Sequence, residues 1–243
     1  MPSLPDAVVL CGGAGLRLRS VTGDAPKSMA SIAGRPFLEL LLRQLHRHGF
    51  QRVIMAVGYQ KDSIRSHFGA EACGLKVIYS EESSPLGTGG ALRNAVDELE
   101  SESVLVMNGD SYTDVDLRQF VEQHRISGAE ASLVVVPADD RQDCGSVFAD
   151  ERGKLTGFNE KESDRGAPYI NAGIYLLSKT LLLEIPSGLQ VSLERQLFPQ
   201  WLEAGHSIRV FFSQGGCTDI GTPERFREAQ DVLASAERST TTP

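Results

Sequence analysis

Apolar runs at residues 7–10, 52–57, 75–79, 104–107 and 132–136 alternate with helical patterns at 36–48, 61–68, 89–99 and 117–126. Strands separated by helices cannot close as tight hairpins and instead form βαβ units, so the alternation predicts an α/β fold with a mostly parallel central sheet. Ligands of such sheets collect at the carboxyl ends of the strands. Beyond about residue 140 the rhythm changes: short β-like pieces near 145–148, 155–158 and 169–177 precede a helix at 193–204, a strand at 208–212 and a helix at 223–234. The expected organisation is one domain over residues 1–236, with a core at about 6–136, a substrate-facing part at about 140–236 and a polar tail at 237–243. A chain of 243 residues, 41% hydrophobic and 23% charged, can bury a full core in this form.

Charge and composition exclude several classes. A net charge of −8 argues against a broad nucleic-acid surface, which is built on phosphate neutralisation. No apolar run approaches the ~20 residues needed to span a bilayer. The opening Met-Pro-Ser-Leu-Pro-Asp has no basic leader character. Four scattered cysteines, Cys11, Cys73, Cys144 and Cys217, lack zinc-type spacing and fit reduced thiols, so a cytoplasmic location is expected. The five histidines, at 46, 48, 67, 124 and 206, show no ligand spacing either.

The first strand runs into Leu10-Cys11-Gly12-Gly13-Ala14-Gly15-Leu16-Arg17-Leu18-Arg19, followed by Ala25-Pro26-Lys27. Gly12, Gly13 and Gly15 let backbone N–H groups approach anionic oxygens that a Cβ would hold off, while Arg17 and Lys27 bring positive charge. The segment suits a polyphosphate; a glycine-rich turn with no ligand is the plainer alternative. Neither the dinucleotide spacing nor the Gly-Lys-Ser/Thr of a P-loop is present. Further on, the apolar run 104–107 ends in Asn108-Gly109-Asp110. A carboxylate there either binds Mg2+, which takes oxygen donors and retains waters, or caps the following loop. Asp219 offers a second carboxylate just before Thr222-Pro223, a helix start with Thr222 as N-cap and Pro223 at the first helical position.

Together these segments resemble the sugar-1-phosphate nucleotidyltransferases. The family's Gly-Gly-x-Gly-x-Arg-Leu loop, Pro-Lys pair, Leu-Gly-Thr-x-Gly segment, Gly-Asp strand end, Glu-Lys pair, Asn-x-Gly-Ile-Tyr strand and Asp-Ile-Gly-Thr-Pro end occur in order at 12–18, 26–27, 86–90, 108–110, 160–161, 171–175 and 219–223. Similarity extends from about residue 6 to 230. The resemblance implies a three-layer Rossmann-like nucleotidyltransferase fold with a small substrate-binding lobe. It also implies a reaction in which a sugar 1-phosphate oxygen attacks the α-phosphorus of a nucleoside triphosphate and expels pyrophosphate. Arg17, with the backbone from Leu10 through Gly12, Gly13 and Gly15, would hold the triphosphate. Lys27 would stabilise charge at the α-phosphate, Lys161 would anchor the sugar phosphate, and Asp110 and Asp219, with Gly109 giving room, would hold Mg2+. Pro85, Gly87 and Thr88 would lie against the nucleobase; Glu160, Asn171 and Gly173 would face the sugar. Tyr175 is expected in the core, and Cys11 as a packed small residue. Ser28 replaces the proline that more often follows the lysine, which removes a backbone constraint.

The form of 85–91 is similar to that of guanylyltransferases, making GTP the expected nucleotide. Segments 32–39 and 108–116 resemble the short D-glycero-D-manno-heptose 1-phosphate guanylyltransferases, whose GDP-heptose serves cell-surface glycans. N-acetylmuramate 1-phosphate with UTP, mannose 1-phosphate with GTP, and a catalytically silent regulatory relative are the alternatives. By analogy with the family, a homodimer is implied.

Overall fold

The computed structural model describes residues 3–138, 145–160 and 167–240, the last stretch from 234 by backbone alone. In chain order come β1 (Asp6–Leu10), the short helix α1 (Arg19–Thr22), β2 (Ser31–Ile32), β3 (Arg35–Pro36), α2 (Phe37–Arg47), β4 (Arg52–Val57), α3 (Lys61–Phe68), β5 (Glu71–Ala72), β6 (Leu75–Glu81), α4 (Gly87–Ala95) and β7 (Ser103–Asn108). They are followed by β8 (Ser111–Thr113), α5 (Leu117–Ser127), β9 (Ala131–Pro137), β10 (Ser146–Ala149), β11 (Leu155–Asn159), β12 (Tyr169–Ser178), α6 (Lys179–Glu184), α7 (Phe198–Glu203), β13 (Ile208–Phe212), β14 (Cys217–Asp219) and α8 (Pro223–Thr240).

The strands β7, β1, β4 and β6 lie side by side and parallel, at the centre of a sheet that has ten strands among the described residues. Their apolar sequences suit burial on both faces. Ala7, Val9, Val53 and Met55 pack on one side against α2, α3, α5 and α8, whereas Val8, Ile54, Ala56 and Val106 pack on the other against α4, α6 and α7. The period of two in the strands thus divides the core into two layers. Helix α2 buries Phe37, Leu38, Leu41, Leu42 and Leu45 along one stripe. It stops where Gly49 takes φ 86° and the Phe50 N–H donates back to the Leu45 carbonyl at 3.1 Å, a helix ending that a glycine permits.

The later strands depart from the parallel pattern. β12 runs antiparallel to both β7 and β9, and β10 and β11 extend the same sheet antiparallel at its edge. The described residues from 145 onward are therefore continuous with the central sheet. Helix α4 begins at Gly87, ahead of the expected 89, and α8 continues to Thr240, through most of the expected polar tail. Residues 234–238, Ala-Ser-Ala-Glu-Arg, are mostly good helix formers, which suits the continuation of the α8 backbone.

At the amino end of the sheet, Asp6 accepts from Arg52 at 2.6 Å and from the Glu100 and Ser101 N–H groups at 2.6 and 3.1 Å. This clamp joins β1, β4 and the approach to β7. At the opposite end the strand order reverses: α2 carries the chain from β1 to β4 on one side, and α4 returns it from β6 to β7 on the other. A crevice opens where such a reversal occurs.

Candidate active site

A cleft of about 820 Å3 lies at the carboxyl ends of the central strands. It brings together Leu10, Gly12, Gly13, Gly15, Arg17, Lys27, Pro85, Gly87, Thr88, Gly109 and Asp110, from segments far apart in the chain. The chain turns out of β1 through residues 11–15. The Gly12 carbonyl accepts from Tyr59 N–H at 3.0 Å, and a Cβ on Gly12 would lie 3.1 Å from the Gly58 nitrogen. Gly15 adopts a left-handed conformation, φ 58° and ψ 37°, and a Cβ there would stand 2.5 Å from Lys27 Cβ. The glycine that turns the loop also makes room for the lysine. Cys11 is buried, as expected, and burial, reinforced by the Glu82 charge, pushes its thiol up to about 12.

Lys27 donates to Asp110 Oδ2 at 2.6 Å, its side chain 13% exposed and that of Asp110 44%. Asp219 is brought alongside by a small antiparallel pairing: β14 aligns it with Ser111 of β8, and Ile220 N–H donates to the Asp110 carbonyl at 3.0 Å. Arg225 holds Asp219 from the first turns of α8, at 3.1 Å. The point that a Cβ on Gly221 would occupy lies 2.8 Å from Asp219 Oδ1 and 3.7 Å from both Lys27 Nζ and Arg225 Nη1. Two carboxylates and two cations therefore converge at one side of the cleft. Gly109 is needed for this approach, since a Cβ there would lie 2.6 Å from the Leu10 carbonyl oxygen.

The glycines at the start of α4 have a structural reason of their own. Gly89 and Gly90 N–H groups both donate to the Val191 carbonyl, and Val191 N–H returns a bond to the Leu86 carbonyl at 2.8 Å. A Cβ on Gly87 or Gly90 would fall 2.6 Å or 2.4 Å from the carbonyl oxygens of Val191 and Leu189. Their missing side chains admit segment 189–191, while Gly87 and Thr88 still line the cleft.

Glu160, Asn171 and Gly173, expected to face the sugar, form a second group next to the cleft. Glu160 and Asn171 meet at Gly145, whose Cβ would lie 2.5 Å from Glu160 Oε2 and 3.5 Å from Asn171 Cβ. Gly173, at φ 73°, occupies an irregularity in the β12–β9 ladder, and a Cβ on it would collide with Ser111 Oγ at 2.7 Å and Asn108 Nδ2 at 3.0 Å. Asn108 lines the cleft, so the two groups adjoin. Tyr175 is fully buried, as expected. Lys161 and Cys144 lie outside the described residues.

Three residues escaped sequence reasoning. Glu82, directly after β6 as Asp110 follows close behind β7, lines the cleft, where burial pushes its carboxyl up against the lowering effect of the Leu86 N–H. Its place behind a strand was a usable signal. Glu194 gave none, because Thr88 and Tyr175 reach it from other segments, and Arg225, six positions after Asp219, is turned onto it by the start of α8.

The fold and this site define a nucleotidyl transferase: the family model of that description matches residues 6–236, and the chain belongs to the family. It is 39% identical over 231 residues to a mannose-1-phosphate guanylyltransferase of Mycobacterium tuberculosis, covering 94% of this chain and 64% of that relative's length. It is 34% identical to a D-glycero-alpha-D-manno-heptose 1-phosphate guanylyltransferase of Aneurinibacillus thermoaerophilus, covering 94% and 98%. Among solved structures, HddC of Yersinia pseudotuberculosis superposes with a TM-score of 0.84 at 33% identity, covering 95% of this chain and all of that one. The same protein complexed with GMP-PN gives 0.83. Among the described residues no helix is long and apolar enough to cross a membrane.

Proposed function

We propose that the chain joins a sugar 1-phosphate to the guanylyl group of GTP, releasing pyrophosphate. The observation that carries this reading is the convergence of Lys27, Asp110 and Asp219 at the rim of the glycine-lined cleft. The names of the Mycobacterium and Aneurinibacillus relatives, and the GMP-PN complex of HddC, support GTP as the nucleotide. Attack of the sugar phosphate on the α-phosphorus places extra negative charge on the transferring group and on departing pyrophosphate. Fixed cations in a walled cleft stabilise that charge better than water can. The glycine-loop amides and Arg17 hold the triphosphate, and Lys27, oriented by Asp110, faces the charge that develops.

The donor set fits Mg2+. Asp110 and Asp219 supply hard oxygens at one side of the cleft. Two carboxylates suit an ion that completes its shell with waters and substrate phosphates. Bound there, Mg2+ would neutralise phosphate oxygens as charge moves onto the leaving group. Glu160, Asn171 and, outside the described residues, Lys161 would take the sugar phosphate. The sugar is D-glycero-α-D-manno-heptose 1-phosphate, supported by the resemblance at 32–39 and 108–116 and by the Aneurinibacillus relative. Mannose 1-phosphate is the second reading, favoured by the 39% identity to the Mycobacterium enzyme. We place the reaction in the cytoplasm.

Pyrophosphate release with Mg2+, measured for GTP, UTP, CTP, ATP and dTTP against heptose, mannose, glucose and N-acetylmuramate 1-phosphates, tests the reading. Preference for GTP with the manno-heptose phosphate is expected. UTP with the muramate would replace the substrate assignment, and silence in every combination would leave a regulatory protein.

A further inference from the structure

Behind the cleft, one buried carboxylate touches both sides of the site. Glu194 is 6% exposed and sits in a single π-helical turn, Leu193–Leu197, a geometry that often marks functional positions. Its Oε2 accepts from Thr88 Oγ1 at 2.6 Å and from Ser192 Oγ at 3.2 Å, and its Oε1 accepts from the buried Tyr175 hydroxyl at 3.1 Å. The chain of bonds continues outward in both directions. Thr88 Oγ1 accepts from Leu193 N–H at 2.8 Å, and the Tyr175 oxygen accepts from Asn171 Nδ2 at 2.8 Å. Asn171 Oδ1 in turn accepts from Gly173 N–H at 3.1 Å.

We propose that Glu194 is a positioning residue that sets Thr88 and Asn171 at once, so that the nucleotide and sugar halves of the site share one buried anchor. An ionised carboxylate only accepts, so the three hydroxyls that meet it, those of Thr88, Ser192 and Tyr175, must donate inward and can only accept from outside. That fixes the Asn171 carboxamide with nitrogen toward Tyr175 and oxygen toward Gly173. It also pins Thr88 in the first turn of α4, where Gly87 and Thr88 line the cleft. A neutral amide at 194 can donate as well as accept, which permits the Tyr175 hydroxyl to reverse and Asn171 to flip. Burial keeps the Tyr175 phenol protonated, as the relay requires: desolvation first, and the nearby Glu194 charge second, push it well above its ordinary value.

The inference rests on the proposed reading of which residues face nucleotide and sugar. The full chain and its Tyr175→Phe, Thr88→Val and Glu194→Gln variants are compared by steady-state pyrophosphate release, with thermal melting as a check on folding. Tyr175→Phe is expected to raise KM for the sugar phosphate at least fivefold with KM for GTP within twofold, Thr88→Val the reverse, and Glu194→Gln to raise both. Calorimetric titration of GTP alone gives a readout free of turnover: Thr88→Val and Glu194→Gln weaken binding, and Tyr175→Phe does not. Folded Glu194→Gln with both KM values unchanged overturns the proposal, as does a uniform fall in kcat without the split. If Glu194→Gln does not fold, the two single-arm variants decide. A wild-type chain inactive with every substrate pair refutes the guanylyltransferase reading instead, and the GTP titrations then decide the Thr88 arm.

Discussion

Gly15→Ala separates the two tasks of the glycine loop. Gly15 is in the left-handed region, φ 58° and ψ 37°, where an L-residue costs about 1–2 kcal/mol. The new Cβ would also stand 2.5 Å from Lys27 Cβ and must retreat to at least 3.4 Å for ordinary contact. Lys27 Cβ is the stem of the side chain, so the ammonium moves with it, away from an Asp110 oxygen now at 2.6 Å. Displacement of a reacting group by about 1 Å can cost about a hundredfold in rate. Gly128→Ala is the control: it pays the same conformational cost at φ 61° and ψ 22°, with no heavy atom within 4 Å of its Cβ among the described residues, at the end of α5. Urea unfolding should show losses of about 1–2 kcal/mol for both variants. Only Gly15→Ala should lose about a hundredfold in kcat for pyrophosphate release. Equal activity of the two folded variants would refute the argument that Gly15 seats Lys27.

Asp110→Asn should abolish Mg2+-dependent turnover, a loss on the order of a hundredfold or more, with the melting curve preserved; a full-rate variant would remove Asp110 from the site. Asp6→Ala takes from Arg52 its buried partner, leaving it the Glu98 carbonyl and Glu100, and leaves the Glu100 and Ser101 N–H groups without their acceptor; it should cost about 1–3 kcal/mol in urea unfolding. In the native chain burial pushes the Asp6 carboxyl up, but Arg52 and the Glu100 and Ser101 N–H groups outweigh it and hold it below the ordinary range. Its contribution is complete above the ordinary value near ~4 and lost as pH falls through the lower native one. A variant whose stability deficit is as large at pH 2 as at pH 7 would contradict that. Cys11, with its thiol pushed to about 12, should resist iodoacetamide at pH 8 until urea unfolds the chain; rapid native adduct formation in peptide mass spectra would show a more open strand end.

The sequence by itself determined the parallel centre of the sheet and most of the cleft. Continuous apolar strands and amphipathic helices are local patterns, and the loops behind strands β1 and β7 follow from them, so Gly12, Gly13, Gly15 and Asp110 could be placed at one sheet edge before any contact was known. The expected role of Lys27 beside the phosphates came with the resemblance, and the structure sets its ammonium on Asp110 in that cleft. What tertiary structure alone decided is the set of pairings between distant segments. Asp219 meets Asp110 only because β14 pairs with β8. The glycines of α4 serve a carbonyl at Val191, which no local pattern announces. Glu194 reads as one more polar residue of a surface helix until Thr88 and Tyr175 are folded against it. Local periodicity carries the backbone's hydrogen-bonding and burial preferences; the partner of a buried charge is fixed only when the whole sheet closes around it.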